Sequence, residues 1–398
     1  MRLKHVQYLL FFAIGAIGCS SNKQMEDAVY FMDVSKTYPE KEINITDFAD
    51  VSYVHLNTAD DDYLYKGRIL CVTKNTYVVY DQSSFSIIFF SRDGAPKSRF
   101  NRFGQGPEEY FNVNRILYDE ETDDVFLCNT ENHSNYVQVY SSTGEYKRKI
   151  ILPKNSRLGS LVSFDDKSLF LFAEDFHNSL LNLNRKKNEK IDIPYTTYYR
   201  ISKSNGEILD SLKLKSNEVE LLVPVPVSAG GARVIFQYKR LTKGVDGFYF
   251  CNPETDTVFH YTGNKSPTPV LHKTPLASNQ DPKIVIANVV DAGKYLFFNV
   301  QTLDLKLSIK NYFLDKETGE IFLQKLILPD FMEKVFRIGT GLFMLDTGDA
   351  SGYIFELELH ELKEAYKANR LSGKLKELVA TLNEDEDNNV FIIVEFLK

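Results

Sequence analysis

Arg102-Phe103-Gly104-Gln105-Gly106-Pro107-Glu108-Glu109-Tyr110 lies between two strand-rich regions, and its reading decides the fold. Upstream, the segments Gly67–Val72, Tyr77–Asp81, Phe85–Ser91 and Lys97–Phe103 alternate apolar strands with polar turns. Downstream, Asn114-Arg115-Ile116-Leu117-Tyr118-Asp119 opens another strand. Gly104 and Gly106, with Pro107 stiffening the turn, expose backbone amides and so suit a ligand cradle. Their place after one complete four-strand unit suits a joint between units better.

Working outward, the unit repeats. An aromatic-rich strand runs into a short polar turn carrying Gly at Gly94, Gly144, Gly206, Gly263 and Gly319, spaced 50, 62, 57 and 56 residues apart. A hairpin turn of this kind needs a positive φ, which a Cβ disfavours. Repeats of this length with several strands each indicate propeller blades. Five units reach about Pro329, and a sixth is expected from Val335 through Leu342–Leu345 to Tyr353–Leu357, with seven blades as the rival count. The prediction is therefore an all-β, six-bladed propeller of four-stranded blades.

The tail differs in kind. Leu359, Leu362, Leu371, Leu375, Leu378 and Leu382 alternate with Lys and Glu, as in amphipathic helices. Val390–Phe396 then reads as a terminal strand. The sixth blade lacks a fourth strand of its own. Ring closure by a strand near Val51–Leu56 is favoured, with the C-terminal strand as the alternative; either removes an exposed edge.

Composition agrees with an all-β chain. The 398 residues include 29 Phe and 23 Tyr, residues that favour strands, and no Trp. A formal charge of −7 and the absence of a long basic run argue against nucleic acid as a partner. Arg2 and Lys4 precede an apolar run, Tyr8–Ile17, that is shorter than the roughly 20 residues a spanning helix needs. Ala16-Ile17-Gly18-Cys19 resembles the lipobox of bacterial lipoproteins, with Ala16 where Leu is usual; an ordinary signal peptide is the other reading. The resemblance implies that Cys19 carries the lipid and becomes the N-terminus, an anchor that needs more than one acyl chain. Ser20 rather than Asp after it implies, by the same resemblance, the outer membrane of a Gram-negative envelope. Cleavage removes Arg2 and Lys4 and moves the charge from −7 to −9. The expected organisation is a signal peptide at 1–18, a lipidated tether at 19–40 and the propeller, with its C-terminal helix and strand, at 41–398. Cys71, Cys128 and Cys251 lie in apolar strands and read as small core residues.

Gly104-Gln105-Gly106-Pro107-Glu108-Glu109-Tyr110 resembles the GxGPxEY loop of six-bladed β-propeller lipoproteins related to NHL-repeat propellers. Asp50–Leu56 resembles that family's opening strand, and Thr255-Asp256-Thr257-Val258-Phe259-His260-Tyr261 its recurrent "DTIY" strand. Lys374–Leu378 with the final strand resembles its C-terminal end. The likeness runs from about residue 40 to the end. It implies that Gly104, Gly106, Pro107 and Tyr110 form a structural motif joining two blades; one clear copy of the loop is present.

Arg102, Glu109 and Arg115 are the candidate ligand-binding residues, grouped around the central funnel. The competing reading has Glu109 satisfying backbone amides and Tyr110 packing between blades. The seven histidines form no HxH or HxxxH pair, so a metal would need donors gathered by the fold. Calcium at the channel mouth is what a lactonase-like propeller implies; no cofactor is expected otherwise. Asp60-Asp61-Asp62 reads as a solvated turn. No nucleophile elbow and no phosphate-binding loop is present. Gly230-Gly231 after Val223–Val227 reads as a rim loop or connector. No catalytic residue is singled out. The expectation is a membrane-anchored binding or scaffold module for a glycan, peptide or protein, rather than an enzyme; the alternative is a metal-dependent hydrolase or lyase.

Overall fold

The computed structural model describes residues 29–397 except 59–61, 112, 130–135, 153–155, 176–194, 216–221, 226–231, 236–239, 264–265, 305, 307, 340–351 and 385. Cys19, Asp60, Asp61, Leu342–Leu345 and Gly230-Gly231 lie outside the described residues.

Three short strands come first: β1 (Tyr30–Asp33), β2 (Glu40–Asn44) and β3 (Ala49–His55). Blade 1 follows as β4 (Gly67–Val72), β5 (Thr76–Asp81), β6 (Ile87–Ser91) and β7 (Pro96–Phe100). Blade 2 is β8 (Val113–Asp119), β9 (Asp124–Asn129), β10 (Tyr136–Tyr140) and β11 (Tyr146–Ile151). Blade 3 is β12 (Ser156–Ser163), β13 (Ser168–Asp175), β14 (Tyr195–Ser202) and β15 (Ile208–Lys215). A separate hairpin, β16 (Leu222–Val225) and β17 (Ala232–Ile235), precedes blade 4.

Blade 4 is β18 (Leu241–Lys243), β19 (Phe248–Cys251), β20 (Thr257–Tyr261) and β21 (Thr268–Thr274). Blade 5 is β22 (Ile284–Ala292), β23 (Tyr295–Thr302), β24 (Ile309–Asp315) and β25 (Ile321–Leu328), and β26 (Phe331–Phe336) folds back onto β25. Blade 6 has three described strands, β27 (Gly352–Leu357), β28 (Val390–Phe396) and β3. The fold is a six-bladed propeller of four-stranded blades. First strands of successive blades meet around the axis, β4 with β8, β8 with β12, β12 with β18 and β18 with β22. Four of these inner strands carry a β-bulge, at Ile69/Cys71, Val113/Arg115, Leu158/Ser160 and Ile286/Asn288.

Strands buried on both faces explain the continuous apolar runs. In β5, Tyr77 and Val79 pack toward blade 6 while Val78 and Tyr80 pack toward blade 2. The apolar core is accordingly divided into clusters between neighbouring blades. Cys71, Cys128 and Cys251 are buried inside these layers, and burial pushes the Cys128 and Cys251 thiols up to about 12.

The five turn glycines all adopt positive φ, from 74° to 94°. At Gly94 the Gly94 amide donates to the Ser91 carbonyl (2.9 Å) and the Ser91 amide to the Ala95 carbonyl (2.8 Å), a tight turn closed by a glycine bulge. Gly94 has a second constraint. A Cβ there would stand 2.1 Å from the His55 carbonyl oxygen of β3.

Ring closure uses both termini. β28 occupies the middle of blade 6, and β3 pairs outside it from Val390↔His55 to Phe396↔Ala49. The favoured strand near Val51–Leu56 does close the blade as its outer strand β3, and what is corrected is the either-or, because the C-terminal strand β28 also belongs to the blade, paired with β27. The start of blade 6 is corrected too, since Val335 belongs to β26 in the sheet of blade 5. The docked chain also begins before the expected boundary at 41. β1 adds in parallel to β21 of blade 4, and β2 in parallel to β25 of blade 5.

Two helices, Leu359–Lys367 and Gly373–Thr381, cover the junction of blades 5 and 6, burying Leu359, Leu362, Ala365, Leu375 and Val379. The Asn389 side chain accepts from the Leu359 amide (3.1 Å), capping the first helix from a distant position. The Lys363 ammonium donates to the Val379 carbonyl (2.8 Å) at the end of the second helix, where a cation is favoured. Among the described residues no helix is long and apolar enough to cross a membrane.

Candidate functional site

The Arg102–Tyr110 loop connects the last strand of blade 1 to the first strand of blade 2. It closes on itself: the Tyr110 amide donates to the Arg102 carbonyl (2.9 Å) and the Gly104 amide to the Tyr110 carbonyl (3.0 Å). Glu109 folds its carboxylate back over the loop, accepting from the Gly106 amide at 2.7 Å. A Cβ on Gly104 would lie 1.9 Å from Glu109 Oε2, so a larger residue there would displace the Glu109 carboxylate.

Further bonds of the loop reach blade 2 and the turn of blade 1 beneath it. Arg102 Nε donates to the Gly144 carbonyl (3.0 Å), Gln138 to the Glu109 carbonyl (2.9 Å), and the Tyr140 hydroxyl to the Glu108 carbonyl (3.0 Å). Tyr110 is fully buried, edge-on to Phe100 and Tyr140, and its hydroxyl donates to the Phe85 carbonyl (2.7 Å). Burial pushes the Tyr110 phenol far above its ordinary value. Arg115 sits elsewhere, on inner strand β8, donating to the Leu161 carbonyl of inner strand β12 at 2.9 Å. Arg102 and Glu109 therefore share one loop, Arg115 bridges the next pair of blades, and each makes an internal bond.

A second feature of this end of the molecule escapes sequence inspection. Phe85, in the turn between β5 and β6, stacks on Phe103 with ring centroids 4.1 Å apart and planes 13° apart. Phe103 in turn stacks on Phe111 at 5.3 Å and 28°. Phe85 has φ of 61°, a conformation that costs a bulky L-residue roughly 1–3 kcal/mol and persists only where neighbours enforce it. They do so here. Asp81 accepts from the Ser83 amide (3.0 Å) and hydroxyl (2.7 Å), and Asn101 donates to the Ser84 carbonyl (2.7 Å). Burial raises the Asp81 carboxyl, but bonds from Ser84 and Ser83 outweigh it and leave the group below its ordinary value. The available signal was a Phe inside Ser83-Ser84-Phe85-Ser86, where Gly or Asn suits the turn, and Phe residues on both sides of the glycine loop.

A second stretch of the sequence carries the same spacing. Arg337-Ile338-Gly339-Thr340-Gly341 repeats the Arg-x-Gly-x-Gly order of residues 102–106 at the connection from blade 5 to blade 6. Gly339 has φ of +88°, and Gln324 brackets Ile338, accepting from its amide (2.9 Å) and donating to its carbonyl (3.0 Å).

Ion pairs occur at both ends of the ring. Arg240 binds Glu254 through two bonds of 2.5 and 2.7 Å, and Lys203 meets Asp119 at 2.7 Å. Lys273 and Asp256 form a fully buried pair at 2.9 Å. Glu356 stands out among carboxyls: burial lifts it above its ordinary value, against a hydrogen bond from Asn389 and the field of Arg68. Among the described residues no group of three or more His, Cys, Asp or Glu could hold a metal ion.

Residues 29–395 match the family described as a domain of unknown function, DUF4934. The chain belongs to that family. No curated protein matches it. Among solved structures, it is similar to a presumed exported protein of Bacteroides fragilis, with TM-score 0.57, 15% identity, and coverage of 93% of this chain and 100% of that one. A member of the DUF4221 family from Bacteroides vulgatus aligns at TM-score 0.44 and 11% identity, over 88% of this chain and 97% of that one. At such identities the likeness concerns the propeller fold alone.

Proposed function

We propose that this member of the DUF4934 family is a lipid-anchored, extracytoplasmic propeller that acts as a binding or scaffold module at the outer membrane. The observation that carries the reading is the internal engagement of Arg102, Glu109 and Arg115: the two arginines tie neighbouring elements together and Glu109 closes its own loop. Rigid blades with exposed loops need no reactive group to recognise a partner. An exported neighbour of the same fold supports an address outside the cytoplasm.

Strand direction adds an orientation. Turns from first to second and third to fourth strand lie at one end of the ring; the other turns and the blade joints lie at the opposite end. The Tyr30 hydroxyl donates to the carbonyl of Lys316, in a third-to-fourth turn of blade 5, so the chain enters at the end opposite the glycine loop. A lipid on Cys19 then leaves the glycine-loop end facing away from the anchor.

The test is made in a Gram-negative host with the full chain. Wild type is expected to incorporate labelled palmitate and to sediment with outer membranes, whereas Cys19→Ser is released. In-cell cross-linking of the wild type is expected to give a reproducible adduct at the glycine-loop end. The reading is overturned by a soluble, unlabelled wild type, or by stoichiometric calcium or zinc retained after dialysis together with hydrolytic turnover.

A further inference from the structure

We infer that the Phe85–Phe103–Phe111 stack is a platform for a neutral carbohydrate, with a pyranose ring packing its C–H face against the exposed phenyl surface. The inference deepens the binding reading above and rests on it.

The platform is built rather than incidental. Phe85 and Phe103 are 39% and 37% exposed although each is a large apolar group. Phe85 is displayed through a left-handed backbone that four polar partners hold: Asp81, Ser83, Asn101 and Tyr110. Asn101 holds the second ring as well, accepting from the Phe103 amide at 2.8 Å. The rings are thus set in place before any ligand arrives, which lowers the cost of binding.

Three observations choose the occupant. The first is size. A phenylalanine offers on the order of 200 Å²; Phe103 is covered by a ring on each face and exposes its edge, so the platform face is that of Phe85, whose exposed fraction amounts to roughly 80 Å², far below the ~800 Å² per partner of a stable protein interface but matched to one sugar ring.

The second is charge. Gln82, Ser83, Asn101 and Gln105, all exposed, come from the same two turns as the rings. Their amides and hydroxyl both donate and accept, as vicinal hydroxyls require. The nearby charges, Asp81 and Glu109 against Arg99 and Arg102, balance in sign and are all bonded internally, leaving Glu108 as the remaining loop charge. The third is place: the stack lies at the end of the ring opposite Tyr30, which disfavours a membrane. The ring quadrupole, negative on its face, attracts the polarised C–H bonds of a pyranose.

The full mature chain in detergent is run through native gels cast with a soluble α-glucan, a β-glucan, a xylan or a galactomannan, and separately with alginate or with none. Retardation by at least one neutral polymer is expected. Phe85→Gly combined with Phe103→Ala should weaken it tenfold or more, while Ile151→Ser, at another exposed apolar site, should not. Should the double variant melt early, Phe85→Gly alone decides, since glycine accepts the positive φ. The proposal is overturned if no neutral polymer retards the protein, if only alginate does, or if retardation survives loss of the rings. If the cross-linked adduct persists while no glycan binds, the glycan platform falls and the wider binding reading stands.

Discussion

Replacing Gly94 by alanine separates two constraints that the propeller imposes on its outer hairpins. Gly94 and Gly319 occupy equivalent turns with φ of 88° and 74°. An alanine at either position bears the left-handed backbone, roughly 1–2 kcal/mol. Their surroundings differ. At Gly319 the new methyl meets ring carbons of Tyr30 at 3.4 and 3.6 Å, close to ordinary contact. At Gly94 it overlaps the His55 carbonyl oxygen at 2.1 Å, and the closing strand must yield. Overpacking of this kind costs about 1–3 kcal/mol more. Gly319→Ala should therefore destabilise by about 1–2 kcal/mol and Gly94→Ala by about 2–5 kcal/mol. At an unfolding entropy of about 2.1 cal/mol/K per residue, one kcal/mol moves the midpoint of a chain this long by ~1 °C, so drops of ~1–3 °C and ~3–6 °C are expected. Thermal melting by circular dichroism, with urea midpoints as a second measure, resolves the pair. Equal losses for the two variants would refute the claim that the blade 1 hairpin presses on the closing strand.

Phe85→Gly exchanges about 0.5–1.5 kcal/mol of ring stacking for relief of a comparable backbone cost, so its melting point should stay within ~2 °C of wild type; a fall beyond ~5 °C would show that the ring supports the fold. Tyr110→Phe leaves the Phe85 carbonyl without its donor, and a loss of about 1–3 kcal/mol should appear in urea melts, with an unchanged midpoint counting against the bond. Lys273→Met strands the buried Asp256 carboxylate and should cost about 3–5 kcal/mol, an effect that Lys273→Met with Asp256→Asn partly reverses. Burial holds His55 below its ordinary value, against the opposing field of Asp387. Its unfolded form therefore binds a proton first, and stability should fall as pH drops from about 6.5 toward the folded value; His55→Gln should flatten that slope, seen in melts from pH 7 to 5.

Much of the ring can be read from residues because local chemistry dictates it. Glycines at 94, 144, 206, 263 and 319 mark turns whose φ only glycine adopts readily, and those turns pace the blades. The glycine loop is legible as a joint because Glu109 and Tyr110 serve the backbone around them. The N-terminal strands are not legible. Tyr30–Asp33 and Glu40–Asn44 are short and partly charged, and their partners lie more than two hundred residues away, at Leu271–Thr274 and Leu323–Ile327. The blade 5 to blade 6 boundary misleads for a related reason, since Val335–Phe336 has strand character but pairs backward onto β25. The phenylalanine stack is invisible in composition, where Phe is a core residue; that three rings meet at the surface depends on turn geometry.

The N-terminal strands also determine how load enters the molecule. Tension applied at residue 29 reaches the β1–β21 pair first, then β2–β25, and only then β3, which closes the ring. The first two pairings are parallel and lie on the outer edges of blades 4 and 5, so a pull can strip them while every blade keeps its own four strands. They act as two mechanical fuses in series ahead of the closure. A protein held by its N-terminus at a moving envelope could thus lengthen its leash under strain, by about 3.3 Å for each strand residue released, without opening the ring.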